Sequence, residues 1–378
     1  MTSESATDNL ELDSSEIGGG SPAQSEFAVH NSNEESINVT AELADATNVL
    51  RRLQQAVQQQ ILGRDDVIEM CIIALVSDGH ILLEDFPGSG KTTLAKALGE
   101  AIVSPVEDTD ARELSERDNI EAEGIVPFRR IQFTPDLLPS DVTGVPVFDA
   151  NSNDFHFRHG PIFAHVVLAD EINRTSPKVQ SAMLEAMGEK QVTVDNVTYP
   201  LDDLFFVIAT QNPLDLVGTY PLPTPQLDRF LFKISMRHIN REAELEVLDT
   251  WQSRRDEKLN ASTVSRDEVL AARVTIDRSV VISPAIKSAL VDLSINLRED
   301  DRVLQGNSTR SLVLMLPALQ ARAAMHGRHY VSADDIKHLA PFILQHRIEL
   351  APGVADFDRV LKDCMHEPME TLARSTLK

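Results

Sequence analysis

The chain has 378 residues, enough for two or three domains with a sizeable core. Its formal net charge of −24 argues against a general affinity for nucleic acids or anionic membranes, because both require a basic surface. No apolar run approaches the length of a membrane span, and Met1 to Asp8 lack the basic and apolar parts of a secretory signal, so we expect a cytoplasmic protein.

The acidic residues are concentrated in two segments. Residues 1 to 50 contain ten Asp or Glu and no Lys or Arg, which predicts a disordered acidic tail over residues 1–45. The stretch 104–124 contains eight acidic and two basic residues, and we expect it to be a solvated insertion on the surface of a folded domain.

A phosphate-binding loop is predicted between a short strand, Ile81 to Leu83, and a helix, Thr92 to Leu98. At such a turn the backbone N–H groups and the positive end of the helix dipole converge on an anion. Lys91 can reach the phosphates and the hydroxyl of Thr92 can bind Mg²⁺. The residues predicted to contact nucleotide here are Pro87, Gly88, Ser89, Gly90, Lys91, Thr92 and Thr93.

The loop departs from the usual G-x-x-x-x-G-K-[ST] pattern at one position. Asp85 stands five positions before Gly90, where glycine is expected. Asp tolerates a left-handed backbone better than most residues, so the departure does not exclude phosphate binding. A chance Gly-Lys-Thr is the alternative, and other parts of a phosphate-transfer site are needed to decide between them.

Two further apolar runs end in polar groups. Val166 to Ala169 is a predicted strand followed by Asp170 and Glu171, which suit Mg²⁺ binding and activation of a water molecule, respectively. Phe205 to Ala209 is another predicted strand, and Asn212 follows it. In open α/β sheets the ligand groups gather at the carboxyl ends of the strands, so Asn212 is placed to contact a γ-phosphate or the attacking water.

Three stretches resemble the MoxR group of AAA+ ATPases. They are FRRIQFTPDLLPSDVTGVPVFD (128–149), GPIFAHVVLADEINRTSPKVQSAMLEAMGEKQVTV (160–194) and VIATQNPLDLVGTYPLPTPQLDRF (207–230). The resemblance extends from about Ile61 to Leu350. It implies a P-loop α/β core with a parallel sheet flanked by helices, an all-α lid, hydrolysis of ATP with Mg²⁺, and a homo-hexameric ring. Relatives mature or activate client protein complexes, often beside proteins with von Willebrand A domains.

The resemblance also implies roles for individual residues. Lys91 and Thr92 match the Walker A motif, and Asp170 and Glu171 match the Walker B pair, so that Thr92 and Asp170 become the expected metal ligands. The remaining matches are Asn212 as sensor 1, Arg229 as an arginine finger for the neighbouring subunit, Arg310 in the sensor 2 segment, and Ile61, Leu62 and Gly63 as nucleotide contacts. Spacing alone leaves open an ion pair of Arg229 with Asp228, and Arg174 is a second cationic candidate.

Beyond Arg237 the pattern changes to helices only. We predict one helix starting at Ser283, a second from Ser308 to His326 that ends at Gly327, and a third capped by Ser332 with Asp335. The expected domains are therefore a nucleotide-binding core over 46–236, a helical lid over 237–350, and a tail with a short helix over 351–378.

Two hairpins are predicted to decorate the core. They are Val145 to Phe157, around a polar tip, and Gln191 to Leu201, around Asp195 and Asn196. Such projections could contact a client, although simple solvated hairpins are an equal alternative. Two other functions also stay open: the motor subunit of a metal chelatase, and a nucleotide-gated scaffold with little turnover.

Overall fold

The computed structural model describes residues 23–84, 88–103, 125–212, 218–256 and 263–376. The predicted insertion 104–124 and the loop positions Asp85 and Pro87 lie outside these ranges. The chain divides into two units, Met1–Ala41 and Glu42–Lys378. Within the described residues the first unit consists of the beginning of one helix, and all the features below belong to the second.

Helices and strands alternate through the first part of the chain. The helices are α1 (Ala23–Gln58), α2 (Asp65–Val76), α3 (Lys91–Glu100), α4 (Pro139–Thr143), α5 (Pro177–Glu189), α6 (Thr224–Leu227), α7 (Arg241–Asp256), α8 (Arg266–Ser279), α9 (Pro284–Glu299), α10 (Thr309–Met325), α11 (Ala333–Leu344) and α12 (Phe357–Thr376). Within these ranges, none of the helices combines the length and the apolar character needed to cross a membrane.

The strands are short, and most of them belong to one central sheet or to hairpins. They are β1 (Ile81–Glu84), β2 (Ile102–Val103), β3 (Val126–Gln132), β4 (Gly144–Asp149), β5 (Asp154–His159), β6 (Ala164–Asp170), β7 (Gln191–Val194), β8 (Val197–Pro200), β9 (Phe206–Gln211), β10 (Phe232–Ser235), β11 (Val264–Ser265), β12 (Val303–Gln305) and β13 (Glu349–Leu350).

Five parallel strands form the central sheet, in the order β10-β1-β9-β6-β3. All seven residues of β6 are buried, as expected for a strand covered on both faces. The registers Glu84↔Ser235, Glu84↔Gln211 and Gln132↔Asp170 bring the last residues of the strands to one border, which we call the C-terminal edge. The opposite border is the N-terminal edge. The predicted α/β core is therefore confirmed.

The start of the packed unit differs from the prediction of a tail ending at residue 45. Helix α1 runs through that position, and an apolar stripe on it is buried from Leu43 onward, continuing with Ala46, Leu50, Leu53 and Val57. These residues recur every three or four positions, which is the spacing of one helix face. Residues 42–45 thus belong to the folded unit, because the stripe needs the core to cover it.

Both predicted hairpins are present. Strands β4 and β5 pair antiparallel, with Phe148 opposite Phe155. Strands β7 and β8 pair antiparallel around Asp195 and Asn196, whose φ angles of 50° and 64° form the left-handed turn that joins two strands tightly.

The region after β10 is mainly helical, as predicted. Ser283 caps α9 by accepting a hydrogen bond from the N–H of Ile286, and Asp335 closes the capping box of α11 with Ser332. The prediction of helices only was wrong in detail, because β12 pairs with β13 and β11 pairs with β2 of the core. These pairs are too short to produce a strand-like sequence pattern. The predicted short tail helix is also longer than expected: α12 spans 20 residues and buries Val360 and Leu361.

Candidate active site

The phosphate loop leads into α3 at Gly90. Gly88 and Gly90 have φ angles of 90° and 91°, a region that side chains other than glycine rarely adopt. A Cβ atom built on either residue would meet nothing within 4 Å, so open space lies above both. Among the residues that the structure describes, no side-chain hydrogen bond caps the start of α3. Its first N–H groups and the positive end of its dipole point toward the loop, which is the arrangement that binds an anion at a helix start.

Lys91 and Asp170 are brought together by neighbouring elements. The Lys91 ammonium nitrogen lies 3.5 Å from Oδ1 of Asp170, and both side chains are largely buried. Asp170 also accepts hydrogen bonds from Thr210 Oγ1 at 2.7 Å and Arg130 Nη2 at 2.5 Å. Burial opposes ionisation of this carboxyl, but the bonds from Arg130 and Thr210 and the charge of Lys91 prevail and lower its pKa. Asp170 is thus a buried carboxylate, ready to bind a cation.

Glu171 follows directly, in a left-handed backbone conformation with φ 58°. Such a conformation costs a non-glycine residue roughly 1 kcal/mol or more and commonly marks a functional turn. Its N–H donates to Thr210 Oγ1 at 2.8 Å, and its Oε2 accepts a hydrogen bond from Gln132 at 2.9 Å. Oε2 also lies 3.2 Å from Nε of Arg174. The turn therefore directs the carboxylate toward the C-terminal edge, where two polar groups hold it.

Asn212 is the residue after β9 and stands at the same edge. Its neighbour Gln211 donates to Glu84 Oε1 at 2.9 Å, and Lys233 forms an ion pair with the same oxygen at 2.8 Å. Glu84 thereby ties the end of β1, which enters the phosphate loop, to the ends of β9 and β10. The predicted strands thus deliver Lys91, Asp170, Glu171 and Asn212 to one edge of the sheet.

The segment Ile61–Gly63 is linked to the phosphate loop by the next residue, Arg64. Arg64 is buried and donates to the carbonyls of Ser89 and Arg237. Ile61 is buried, and Gly63 adopts φ 66° against Ala243 of α7. The segment therefore joins the phosphate loop to the first helix of the lid.

Sequence reasoning did not identify Arg130, Gln132, Thr210 or Arg64. The first three are polar residues at the C-terminal ends of β3 and β9. The edge rule that singled out Asp170 and Asn212 could have found them, because it applies to every strand of a parallel sheet. Arg64 gave no such signal, since its partners lie 25 and 173 residues away.

Arg229 and Arg310 lie away from the C-terminal edge of the sheet. Arg229 follows α6, and its Nη1 donates to the carbonyl oxygen of Leu184 in α5 at 2.6 Å. Its segment packs where β1 and β10 begin, as the bond from the Leu231 N–H to the His80 carbonyl shows. Arg310 is 64% exposed in its side chain, and its Nε lies 3.7 Å from Oδ2 of Asp228. Both arginines line a cleft of about 370 Å³ at the N-terminal edge.

The four strand residues of β1 separate this cleft from the phosphate loop by on the order of 13 Å. Arg310 therefore lies at the opposite edge of the sheet from Lys91 of the same chain, because the lid packs against the segment after Asp228. Its role at a γ-phosphate stays a prediction. The alternative ion pair of Arg229 with Asp228 is also not found, since Asp228 pairs with Arg347 at 2.7 Å and with Arg310.

The residues at the C-terminal edge fit a nucleoside triphosphate with Mg²⁺. The open space over two left-handed glycines, the uncapped helix start and the Lys91 ammonium suit phosphate oxygens. The Asp170 carboxylate and the Thr92 hydroxyl are oxygen ligands of the kind that Mg²⁺ prefers.

Comparisons with known proteins agree with this chemistry. Residues 118–232 match the ATPase family associated with various cellular activities (AAA), and residues 295–363 match the AAA lid domain. The chain is 41% identical to the uncharacterised protein YeaC of Bacillus subtilis, over 82% of this chain and 89% of that protein. It is 32% identical to the chaperone MoxR1 of Mycobacterium tuberculosis, over 82% of this chain and 78% of that protein.

A crystal structure of a Cytophaga hutchinsonii protein assigned as an ATPase superimposes with a TM-score of 0.69. It is 33% identical and covers 92% of this chain and 98% of its own. The similarity therefore extends through both the core and the lid.

Proposed function

This chain belongs to the MoxR family of AAA+ ATPases, and from that premise we propose that it works in the cytoplasm as a homo-hexameric ring that uses ATP hydrolysis to remodel client protein complexes. ATP hydrolysis itself follows from the family. The ring, the client and the roles of individual residues are the parts that we propose.

The observation that carries the proposal is the division of charged groups between the two edges of the sheet. Lys91 and Asp170 lie at the C-terminal edge, while Arg229 and Arg310 lie at the N-terminal edge. Phosphoryl transfer needs cationic groups on both sides of the γ-phosphate, because negative charge spreads over its oxygens in the transition state. Arg229 and Arg310 lie at the far edge from the site of their own chain, and we propose that they serve the site of a second copy.

At the C-terminal edge each residue has a distinct task. Lys91 and the N–H groups at the start of α3 bind the phosphates, and Mg²⁺, held by Thr92 and Asp170, would neutralise part of their charge. Glu171 orients and polarises the attacking water, and Asn212 holds that water or the γ-phosphate. Gln132 and Arg174, which contact Glu171 in this structure, must release its carboxylate for that role.

At the N-terminal edge Arg229, Arg310 and Lys190 line the cleft, which we expect to face the neighbouring subunit. A guanidinium is always charged and offers donors in a planar fork that matches phosphate oxygens. We expect Arg229 to approach the neighbour's γ-phosphate and Arg310 to bind beside it. Turnover would then depend on assembly, because no isolated subunit contains a complete site.

The β4–β5 hairpin is the surface that we propose for client contact. Phe148 and Phe155 form an exposed aromatic pair with ring centroids 5.2 Å apart, and they are 51% and 65% exposed. Large exposed aromatics on a projecting hairpin are typical of interaction sites. Proteins with von Willebrand A domains are the partners that the family resemblance favours.

We call this arrangement, in which Lys91 of one subunit and Arg229 of the next serve the same nucleotide, the divided site. A subunit-mixing experiment tests it. Lys91→Ala subunits keep the arginines but lose phosphate binding, whereas Arg229→Ala subunits bind ATP but lack the finger. Each alone should release little phosphate. A 1:1 mixture should recover about a quarter of the parent rate, because half the sites bind ATP and half of those meet an intact Arg229.

Each variant mixed with parent protein serves as the control for assembly. If the two defective variants stay inactive together while each still forms rings with parent protein, the divided site is wrong. A parent rate that does not exceed that of Glu171→Gln would instead indicate a nucleotide-gated scaffold.

A further inference from the structure

The segment that carries Arg229 is held by three consecutive residues of the lid. Gln345 donates to the carbonyl oxygen of Lys233, and His346 Nε2 lies 2.9 Å from the carbonyl oxygen of Phe230. Arg347 follows, and its side chain is only 2% exposed. These residues come directly after α11, so a lid helix is fixed to the core strand β10 and to the turn before it.

Arg347 makes most of these contacts. Its Nε pairs with Oδ1 of Asp228 at 2.7 Å, and its Nη2 donates to the carbonyl oxygens of Asp228 at 3.0 Å and Phe230 at 2.7 Å. Its Nη1 donates to the carbonyl oxygens of Leu231 at 3.2 Å and, within the lid, Ile343 at 2.5 Å. The guanidinium thus binds the residues on both sides of Arg229.

A buried guanidinium is stable only where acceptors surround it, because removing its charge from water is costly. Asp228 supplies the countercharge and four backbone carbonyls occupy the remaining donors. Four of these bonds reach the turn, one to the Asp228 carboxylate and three to the backbone carbonyls of Asp228, Phe230 and Leu231. Because they diverge from one planar group, they hold the turn in a single orientation. Neither Arg347 nor Asp228 lies at the edge that holds Lys91, so both act away from the chain's own nucleotide.

Arg310 contacts the same carboxylate, Asp228. It lies in the first turn of α10, and its Nε is 3.7 Å from the second oxygen of Asp228. One carboxylate therefore connects a buried lid arginine with an exposed one. Asp228, the residue next to Arg229, thus contacts both Arg347 and Arg310.

We propose that Arg347 and Asp228 are positioning residues for the arginine finger: the lid of a subunit holds the turn 228–231 so that Arg229 of that subunit meets the phosphates of its neighbour. This rests on the proposed function, in which Arg229 acts on the neighbouring site. Its consequence is that the lid controls hydrolysis in the adjacent subunit, through the finger, as well as closing over its own core.

The test uses two variants. Arg347→Met keeps an unbranched side chain of similar length without the donors, and Asp228→Asn keeps the shape of the partly exposed acceptor without its charge. Arg302→Met is the matched control, because Arg302 forms ion pairs away from the turn 228–231, with Asp300 and with Asp363 of α12. Steady-state phosphate release is measured as kcat and KM for ATP, and ring assembly by light scattering.

We expect kcat of Arg347→Met and Asp228→Asn to fall by about tenfold or more, since a correctly placed arginine finger contributes much more than that. KM for ATP should stay within about twofold of the parent value, because nucleotide binds at the other edge. Mixing either variant with Lys91→Ala subunits should raise the rate severalfold, since those subunits supply a well-placed finger. If Arg347→Met does not fold, the same results for Asp228→Asn decide the matter.

Two results would overturn the proposal. One is a higher KM for ATP with unchanged kcat, which would place the effect at the chain's own site. The other is failure of the mixture with Lys91→Ala while the mixture of Arg229→Ala with Lys91→Ala recovers activity. If the mixture of Arg229→Ala with Lys91→Ala also stays inactive, the divided site itself is wrong. The positioning role of Arg347 and Asp228 would then be wrong as well.

Discussion

Gly188 lies directly against the guanidinium of Arg229: a Cβ atom on Gly188 would overlap Nη1, and would also approach Cζ to 3.5 Å. Gly188 is the penultimate residue of α5, and Arg229 donates to Leu184 one turn earlier in the same helix. The absence of a side chain at residue 188 thus lets the arginine lie flat on α5, at the rim of the cleft.

Gly188→Ala should lower activity without lowering stability. Alanine favours a helix over glycine by up to about 1 kcal/mol, so the melting temperature should stay equal or rise. The added methyl group pushes the end of Arg229 aside, and phosphate release should fall severalfold. Ser181→Ala, at an exposed position two turns earlier in α5, is the control. Unchanged turnover in Gly188→Ala would show that the resting position of Arg229 on α5 is irrelevant to catalysis.

Glu171→Gln should abolish most hydrolysis while keeping ATP binding. The amide of glutamine cannot accept a proton from the attacking water, and general-base assistance is commonly worth at least about 100-fold in rate. Single-turnover phosphate release and binding of a fluorescent ATP analogue measure the two effects. Glu185→Gln, an exposed carboxylate change in α5, should behave like the parent. Equal rates in Glu171→Gln and the parent would eliminate Glu171 as the base.

Arg310→Ala should lower phosphate release by roughly tenfold or more while leaving the affinity for ATP nearly unchanged. The reason is its place at the N-terminal edge, beside Asp228 and away from Lys91. Addition of Lys91→Ala subunits should restore part of the rate, and exposed Arg278→Ala in the lid should have no effect. A large loss of ATP affinity, without recovery on mixing, would assign Arg310 to the site of its own chain.

Asp335 should make the lid sensitive to acid. Burial opposes its ionisation, but hydrogen bonds from Arg328, Ser332 and Arg322 lower its pKa from 3.8 to about 2. Because the pKa is lower in the folded state, the stabilisation, about 2 kcal/mol, is complete above pH ~4 and is lost as the pH falls toward 2.

Asp335→Asn removes this titration. In urea unfolding the variant should be less stable than the parent at pH 6, and the gap should narrow as the pH is lowered below about 4. A constant gap across that range would mean that the ionisation of Asp335 does not contribute to the stability of the lid.

The sequence predicted the C-terminal edge well because local rules determine it. Apolar runs become parallel strands, and the polar residue after each run must stand at the same border as Asp170 and Asn212 do. The same rules located the two hairpins and the starts of α9 and α11, where a turn pair or a capping serine is visible within a few residues.

The N-terminal edge could not be predicted in this way. Arg347 and Asp228 are 119 residues apart, and a buried arginine after a lid helix has no pattern of its own. The position of Arg310 depends on how the lid packs on the core, which helix spacing does not encode. The β3 partners of Asp170 and Glu171 were missed for a different reason: Arg130 and Gln132 alternate along β3 like the exposed residues of an ordinary strand.

The most direct test of the divided site is electron cryo-microscopy of the Glu171→Gln ring with ATP and Mg²⁺. We predict a γ-phosphate contacted by Lys91 of one subunit and by Arg229 of the next. A ring in which no cationic residue from the adjacent subunit lies near the γ-phosphate at any ATP-bound site would contradict the account.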